Sequence, residues 1–127
     1  MRNLFLILTM LGHHSLAGSY DMNKPVTLQG VITRMEFRNP HTVMVLDVRN
    51  TNGAVTSWRV EIGGTNALAN AGLDKSFFDL SKSYTIEVWP AFDGSNHAAG
   101  RKLILADGRT FDVSDKWGMN IPLPKGR

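Results

Sequence analysis

The chain has no cysteine, which removes disulfides, thiolate metal sites, iron–sulfur ligation and thiol catalysis together. It also lacks the unbroken apolar run of about 20 residues that a membrane-spanning helix needs; the run at Leu4–Leu11 stops at Gly12. An excess of one charge is missing too. Lys and Arg number 14 against 11 Asp and Glu, a formal charge of +3, and the basic residues are scattered through the chain. That is not the footprint of a nucleic-acid binder, and no nucleic-acid partner is expected. What is present is enough for one domain: 127 residues, 43% apolar and 20% charged, too apolar for wholesale disorder.

The first residues, Met1-Arg2-Asn3 followed by Leu4–Leu11, have the basic start and short apolar stretch of a secretory signal peptide. Export to the periplasm or beyond is therefore expected, without a membrane span. Two cleavage points compete. Ser15-Leu16-Ala17 obeys the small-x-small rule and would discard His13 and His14, whereas cleavage after Gly12 would leave His13 as the mature N-terminus. The expected organisation is a signal peptide over 1–17, a β-barrel domain over 18–113 and an irregular, proline-containing tail over 114–127.

From Val26 onward the apolar period is two, in segments rich in Val, Ile, Thr and aromatics, which argues strands. The pattern predicts strands at Val26–Phe37, Thr42–Arg49 and Val55–Ile62, the last two joined by an Asn52-Gly53 hairpin turn. Gly30 marks a bulge or tight bend in the first. Within Val55–Ile62, Trp58 should be buried and Arg59 exposed. Thr65 stands where a helix N-cap belongs, and Gly72 would stop the short helix at Ala71. Further strands are expected at Ser83–Ala91 and Arg101–Leu105, with a brief return over Thr110–Val113 after Asp107-Gly108. Three strands, a helix and two more strands is the order of a five-stranded Greek-key barrel of OB type, an all-β fold with one short helix.

Four histidines are the candidate chemistry: His13, His14, His41 and His97, all predicted outside regular strands. In an OB barrel the first-to-second and fourth-to-fifth strand loops flank one ligand-binding face, which would make His41 and His97 neighbours. Without thiolates, imidazole is the main borderline ligand, and it suits copper or zinc. Asn39-Pro40 should present His41 from a stiff turn. His13 and His14, with a free terminal amine, would offer three nitrogen donors suited to Cu(II), but they lie far from His41 unless the segment before Lys24 folds back. Ser15, His14 and Asp21 supply the letters of a triad without a nucleophile elbow. Arg59, Glu61 and Glu87 show no acid–base pairing, and Gly63-Gly64-Thr65 lacks the lysine of a phosphate loop. No enzyme is expected. The residues point to an exported binding module taking a metal ion or a small ligand through loop histidines. The alternatives are an OB-type binder of oligosaccharide or nucleic acid, which would need exposed aromatics that strands two and three do not offer, and a domain docking on an envelope protein by strand addition.

Several blocks carry a resemblance: His13-His14-Ser15 ahead of Tyr20-Asp21, Lys24-Pro25-Val26-Thr27-Leu28-Gln29-Gly30, Asn39-Pro40-His41, Gly63-Gly64-Thr65-Asn66-Ala67-Leu68 and Asp107-Gly108-Arg109. In combination they resemble a bacterial domain-of-unknown-function family of small exported proteins, over roughly His13 to Phe111. The resemblance implies export and a small β-rich domain, and supplies no activity. Family members often carry a longer leader ending in a small residue just before the His-His pair, and this chain departs from that pattern with a short leader and Gly12.

Overall fold

Alternating burial along the strands shows how the sequence closes on itself. The computed structural model describes residues 19–114; the expected signal peptide with His13 and His14, and the tail from residue 115, lie outside the described residues. Six strands follow in order: β1 Val26–Glu36, β2 His41–Arg49, β3 Val55–Gly63, β4 Ser83–Pro90, β5 His97–Ile104 and β6 Thr110–Asp112. Helix α1 spans Thr65–Asn70 between β3 and β4, with a 3-10 turn at Lys75–Phe77 behind it.

The sheet runs β3-β2-β1-β4-β5-β6, and β3 also pairs with β5. That pairing is parallel, through Arg59↔His97, Val60↔Ala98 and Glu61↔Ala99. Five strands thus form a closed mixed barrel, mostly β with one short helix, in a cyclic order 1-2-3-5-4 compatible with an OB-type Greek key. Inward positions fill the barrel with Ile32, Met44, Leu46, Val60, Ile62, Ile86, Val88, Ala98 and Leu103, all fully buried. Leu68 of α1 and Leu73 after it join the same core. Burying an aliphatic side chain contributes about 1.5–3 kcal/mol, so this one cluster is the main stabilising feature.

Several local expectations need correction. The register shift in β1 falls between Ile32 and Arg34, not at Gly30. Gly30 serves close approach instead, since a Cβ there would collide with the Asp47 carbonyl on β2. Thr65 is not the helix N-cap: that position is Gly64, with no side-chain cap. Gly72 does stop the helix, at φ 88°, with its N–H donated to the Ala69 carbonyl and that of Leu73 to the Leu68 carbonyl, a Schellman arrangement. The fifth strand starts at His97, four residues before the expected Arg101. Ala98-Ala99-Gly100 reads as loop by β propensity, yet it is small because β3 lies against it: a Cβ on Gly100 would stand 2.5 Å from Ile62 Cγ2. The same closure half-buries Arg59, which was expected exposed, while Trp58 packs partly buried against the core.

Candidate functional site

His41 and His97 are the first residues of β2 and β5, so neither lies in a loop as expected. Along β3, His41 is opposite Gly63 and His97 opposite Arg59. Four residues of strand separate those positions, about 13 Å, so the two imidazoles are not brought to one point. His97 begins its strand beside the turn that carries Asp93, whose carboxyl is held below the usual range by the Ser95 hydroxyl and amide, with the nearby His97 adding in the same direction.

His41 has different company. Its Nδ1 stands 3.8 Å from Glu61 Oε1 on β3, and the other oxygen of that carboxylate accepts a hydrogen bond from the Tyr20 hydroxyl at 3.2 Å. Tyr20 arrives from the segment before β1, which folds back. The Tyr20 backbone bridges Ala91 at the end of β4, the Asp21 N–H donates to the Pro90 carbonyl at 2.8 Å, and the Phe92 N–H donates to the Ser19 carbonyl at 3.0 Å. Burial, the Glu61 charge and the hydrogen bond to it push the Tyr20 phenol up to about 12, with Arg59 pulling the other way. At neutral pH the phenol is therefore a proton donor to the carboxylate. Val43 on β2 and Ala99 on β5 flank Glu61 in register and are buried, while the Glu61 side chain itself is 38% exposed.

The turn that presents His41 is braced by the start of α1. The Arg38 carbonyl accepts from the Thr65 N–H at 3.0 Å and from the hydroxyls of Thr65 and Thr42. Asn39 Oδ1 accepts from the Asn66 N–H at 3.3 Å, so a side chain far away in sequence satisfies one of the first N–H groups of the helix. Gly64 permits the contact: a Cβ there would lie 2.5 Å from Asn39 Oδ1 and 2.6 Å from the Pro40 carbonyl oxygen. The Asn39–Pro40 peptide is cis. The Asn-Pro-His and Gly-Gly-Thr-Asn blocks, read separately in the sequence, are thus two halves of one joint.

Tyr20 and Glu61 were not singled out from the sequence. Glu61 could be placed on the outward side of β3, but its two partners come from 20 residues and 41 residues away along the chain, and no spacing rule connects them. Elsewhere on the outward surface, Arg101 and Glu87 make a half-buried ion pair between β5 and β4, a feature of the scaffold. Among the described residues, no group of three or more His, Cys, Asp or Glu side chains is placed to hold a metal ion, and no helix is long and apolar enough to cross a membrane.

Fold and site together define a small closed β-barrel with a Tyr–Glu–His cluster on its outward face, beside a braced turn. The family is shown by residues 6–101, which match the model of a family of unknown function (DUF6152); the chain belongs to that family, as the sequence blocks implied. The matched span contains Tyr20, His41, Glu61, His97 and the His13-His14 pair. No curated protein and no solved structure matches the chain significantly.

Proposed function

We propose that the protein is an exported binding module that takes a divalent transition-metal ion, copper or zinc, on the outward face of β2 and β3, with His41 and Glu61 as two of its ligands. The observation that carries this reading is the 3.8 Å separation of His41 Nδ1 and Glu61 Oε1. Metal–nitrogen and metal–oxygen bonds of 2.0–2.2 Å place two donors on a tetrahedral ion about 3.4 Å apart. A small side-chain rotation closes the difference. Tyr20 fits as an outer partner: ligating carboxylates are themselves hydrogen-bonded, which fixes their orientation, and a phenol with its pKa raised donates a proton rather than ligating. Nitrogen and oxygen ligands also need no reducing compartment, in keeping with the export signal read at Arg2 and Leu4–Leu11.

The competing oligosaccharide reading has less support. Outward positions of β2 and β3 carry Val43, Val45, Arg59 and Glu61, Trp58 turns toward the core, and among the described residues the exposed large aromatic is Phe92 on the β4–β5 turn. Stacking platforms need aromatics on the strands themselves.

The test is N-terminal sequencing and metal analysis of the protein recovered from the exported fraction, followed by calorimetric titration of Cu(II) and Zn(II). Glu61→Gln keeps the shape and the hydrogen bond from Tyr20 while removing the charge, and should weaken binding about tenfold or more. An unprocessed cytoplasmic chain beginning at Met1 would end the export reading, and an affinity that Glu61→Gln leaves unmoved would end the metal reading.

A further inference from the structure

We infer that the ion is taken as its chelate with a small hydroxy-dicarboxylate whose far carboxylate rests on Arg59; the inference rests on the metal reading above and names what arrives with the metal. His41 and Glu61 are two donors, and a tetrahedral ion takes four. Among the described residues no group of three His, Cys, Asp or Glu side chains gathers to supply the others. A 2-hydroxy acid fills two positions at once, through its hydroxyl and the adjacent carboxylate.

Arg59 selects among such acids. Val60 and Ile62 are fully buried, so Arg59 and Glu61 share the outward face of β3, two positions and about 7 Å apart. The Arg59 backbone is fixed on both sides, opposite Val45 on β2 and His97 on β5, and its N–H donates to the Asn96 carbonyl at 2.9 Å. The residue is half-buried, yet among the described residues its guanidinium makes no hydrogen bond or ion pair. The nearby acids are engaged elsewhere: Glu61 by Tyr20 and His41, Asp93 by Ser95, and Glu36 by Arg34 and Arg38. Its charge acts on the Tyr20 phenol, in keeping with a side chain directed along the face toward Glu61.

A partly buried cation without an acid partner is uncommon, and a planar guanidinium matches a carboxylate with two parallel N–H bonds. Charge complementarity then fixes the guest. The two positive charges of the ion and the one of Arg59 are met by the Glu61 carboxylate and two carboxylates of the guest. A monocarboxylate would chelate the ion and leave Arg59 unmatched; a diacid without the hydroxyl would match Arg59 and leave the ion short of a donor.

Equilibrium dialysis of radiolabelled malate against the full-length protein, with Cu(II) and without it, tests the inference. With Cu(II), the natural protein should retain one malate for each bound ion; without it, malate should be held about tenfold more weakly or less. Glycolate, a chelator with no second carboxylate, and succinate, a diacid with no hydroxyl, should each be retained about tenfold more weakly than malate. Arg59→Gln, shown by circular dichroism to be folded, should lose malate by a similar factor, and Glu61→Gln should lose malate and copper together. Malate that strips copper from the natural protein, copper bound without malate, or glycolate retained as well as malate would overturn the inference and leave the His41–Glu61 reading standing. So would an Arg59→Gln protein that keeps its malate. Copper held no more tightly than by a generic surface histidine, with malate or without it, would remove both readings.

Discussion

Two turns of the barrel each deliver a histidine to the start of a strand, and they are built in opposite ways. The Arg38–Pro40 turn ahead of His41 is clamped by α1: the Arg38 carbonyl accepts from Thr65 and the Asn39 side chain from Asn66, and Gly64 is pressed against it. The Phe92–Asn96 turn ahead of His97 is exposed throughout. Its two ends are tied down, the Phe92 N–H to the Ser19 carbonyl at 3.0 Å and the Asn96 carbonyl to the Arg59 N–H at 2.9 Å, but its tip is held by bonds of its own, the Ser95 N–H on Asp93 Oδ1 at 2.9 Å and the Gly94 N–H on the Ala91 carbonyl, with open space around Gly94. Fixing a residue's backbone costs about 1–2 kcal/mol. A turn already ordered by a neighbouring helix does not charge that cost to a ligand, and the braced turn sets its histidine 3.8 Å from the Glu61 carboxylate on the facing strand.

The comparison can be broken most forcefully at the two glycines. Gly64→Ala must push the turn and helix apart and should cost about 1–3 kcal/mol, the range for overpacking a tight contact. Gly94→Ala meets no neighbouring atoms and suffers only its φ of 79°, a penalty of about 1 kcal/mol. Urea denaturation of both variants would read the difference, and a larger loss at Gly94 would reverse the assignment of which turn is braced.

The next contrast is smaller. Asn39→Ala removes the acceptor for the Asn66 N–H and should cost about 1 kcal/mol, as loss of a helix cap does. Asp93→Ala removes an Asx bond on an exposed turn and should cost less. Thermal melts of the pair check the order.

Smallest is the contribution of Tyr20, and it carries a pH signature. The folded phenol is raised to about 12 from 10.0, so the folded state binds its proton more tightly than the unfolded chain does. Its stabilising share is complete below pH 10 and is lost as the pH rises through 12. Tyr20→Phe should therefore narrow the stability lost between pH 9 and pH 12, as followed by denaturation at each pH.

Much of the fold was legible in the sequence. Period-two apolar patterning located five strands because each has one face in the core, and Gly72 marked the helix end because only a positive φ closes that turn without strain. The start of β5 was hidden for a physical reason: Ala98, Ala99 and Gly100 are selected for close packing against β3, and small residues resemble loop. The site was half legible. His41 was visible as an imidazole presented after Asn39-Pro40, whereas Glu61 and Tyr20 acquire meaning only from barrel closure and from the fold-back of the chain onto Ala91. The expected partnership of His41 with His97 assumed that flanking one face means touching; the register along β3 separates them.

The measurement that tests the central claim most directly is parallel calorimetric titration of Cu(II) and Zn(II) into His41→Ala and His97→Ala alongside the natural protein. The account predicts that His41→Ala weakens binding about tenfold or more and that His97→Ala leaves it within twofold, because His41 stands 3.8 Å from the Glu61 carboxylate to which Tyr20 donates, whereas His97 pairs with Arg59, farther along β3. Equal losses from both substitutions, or none from either, would contradict it.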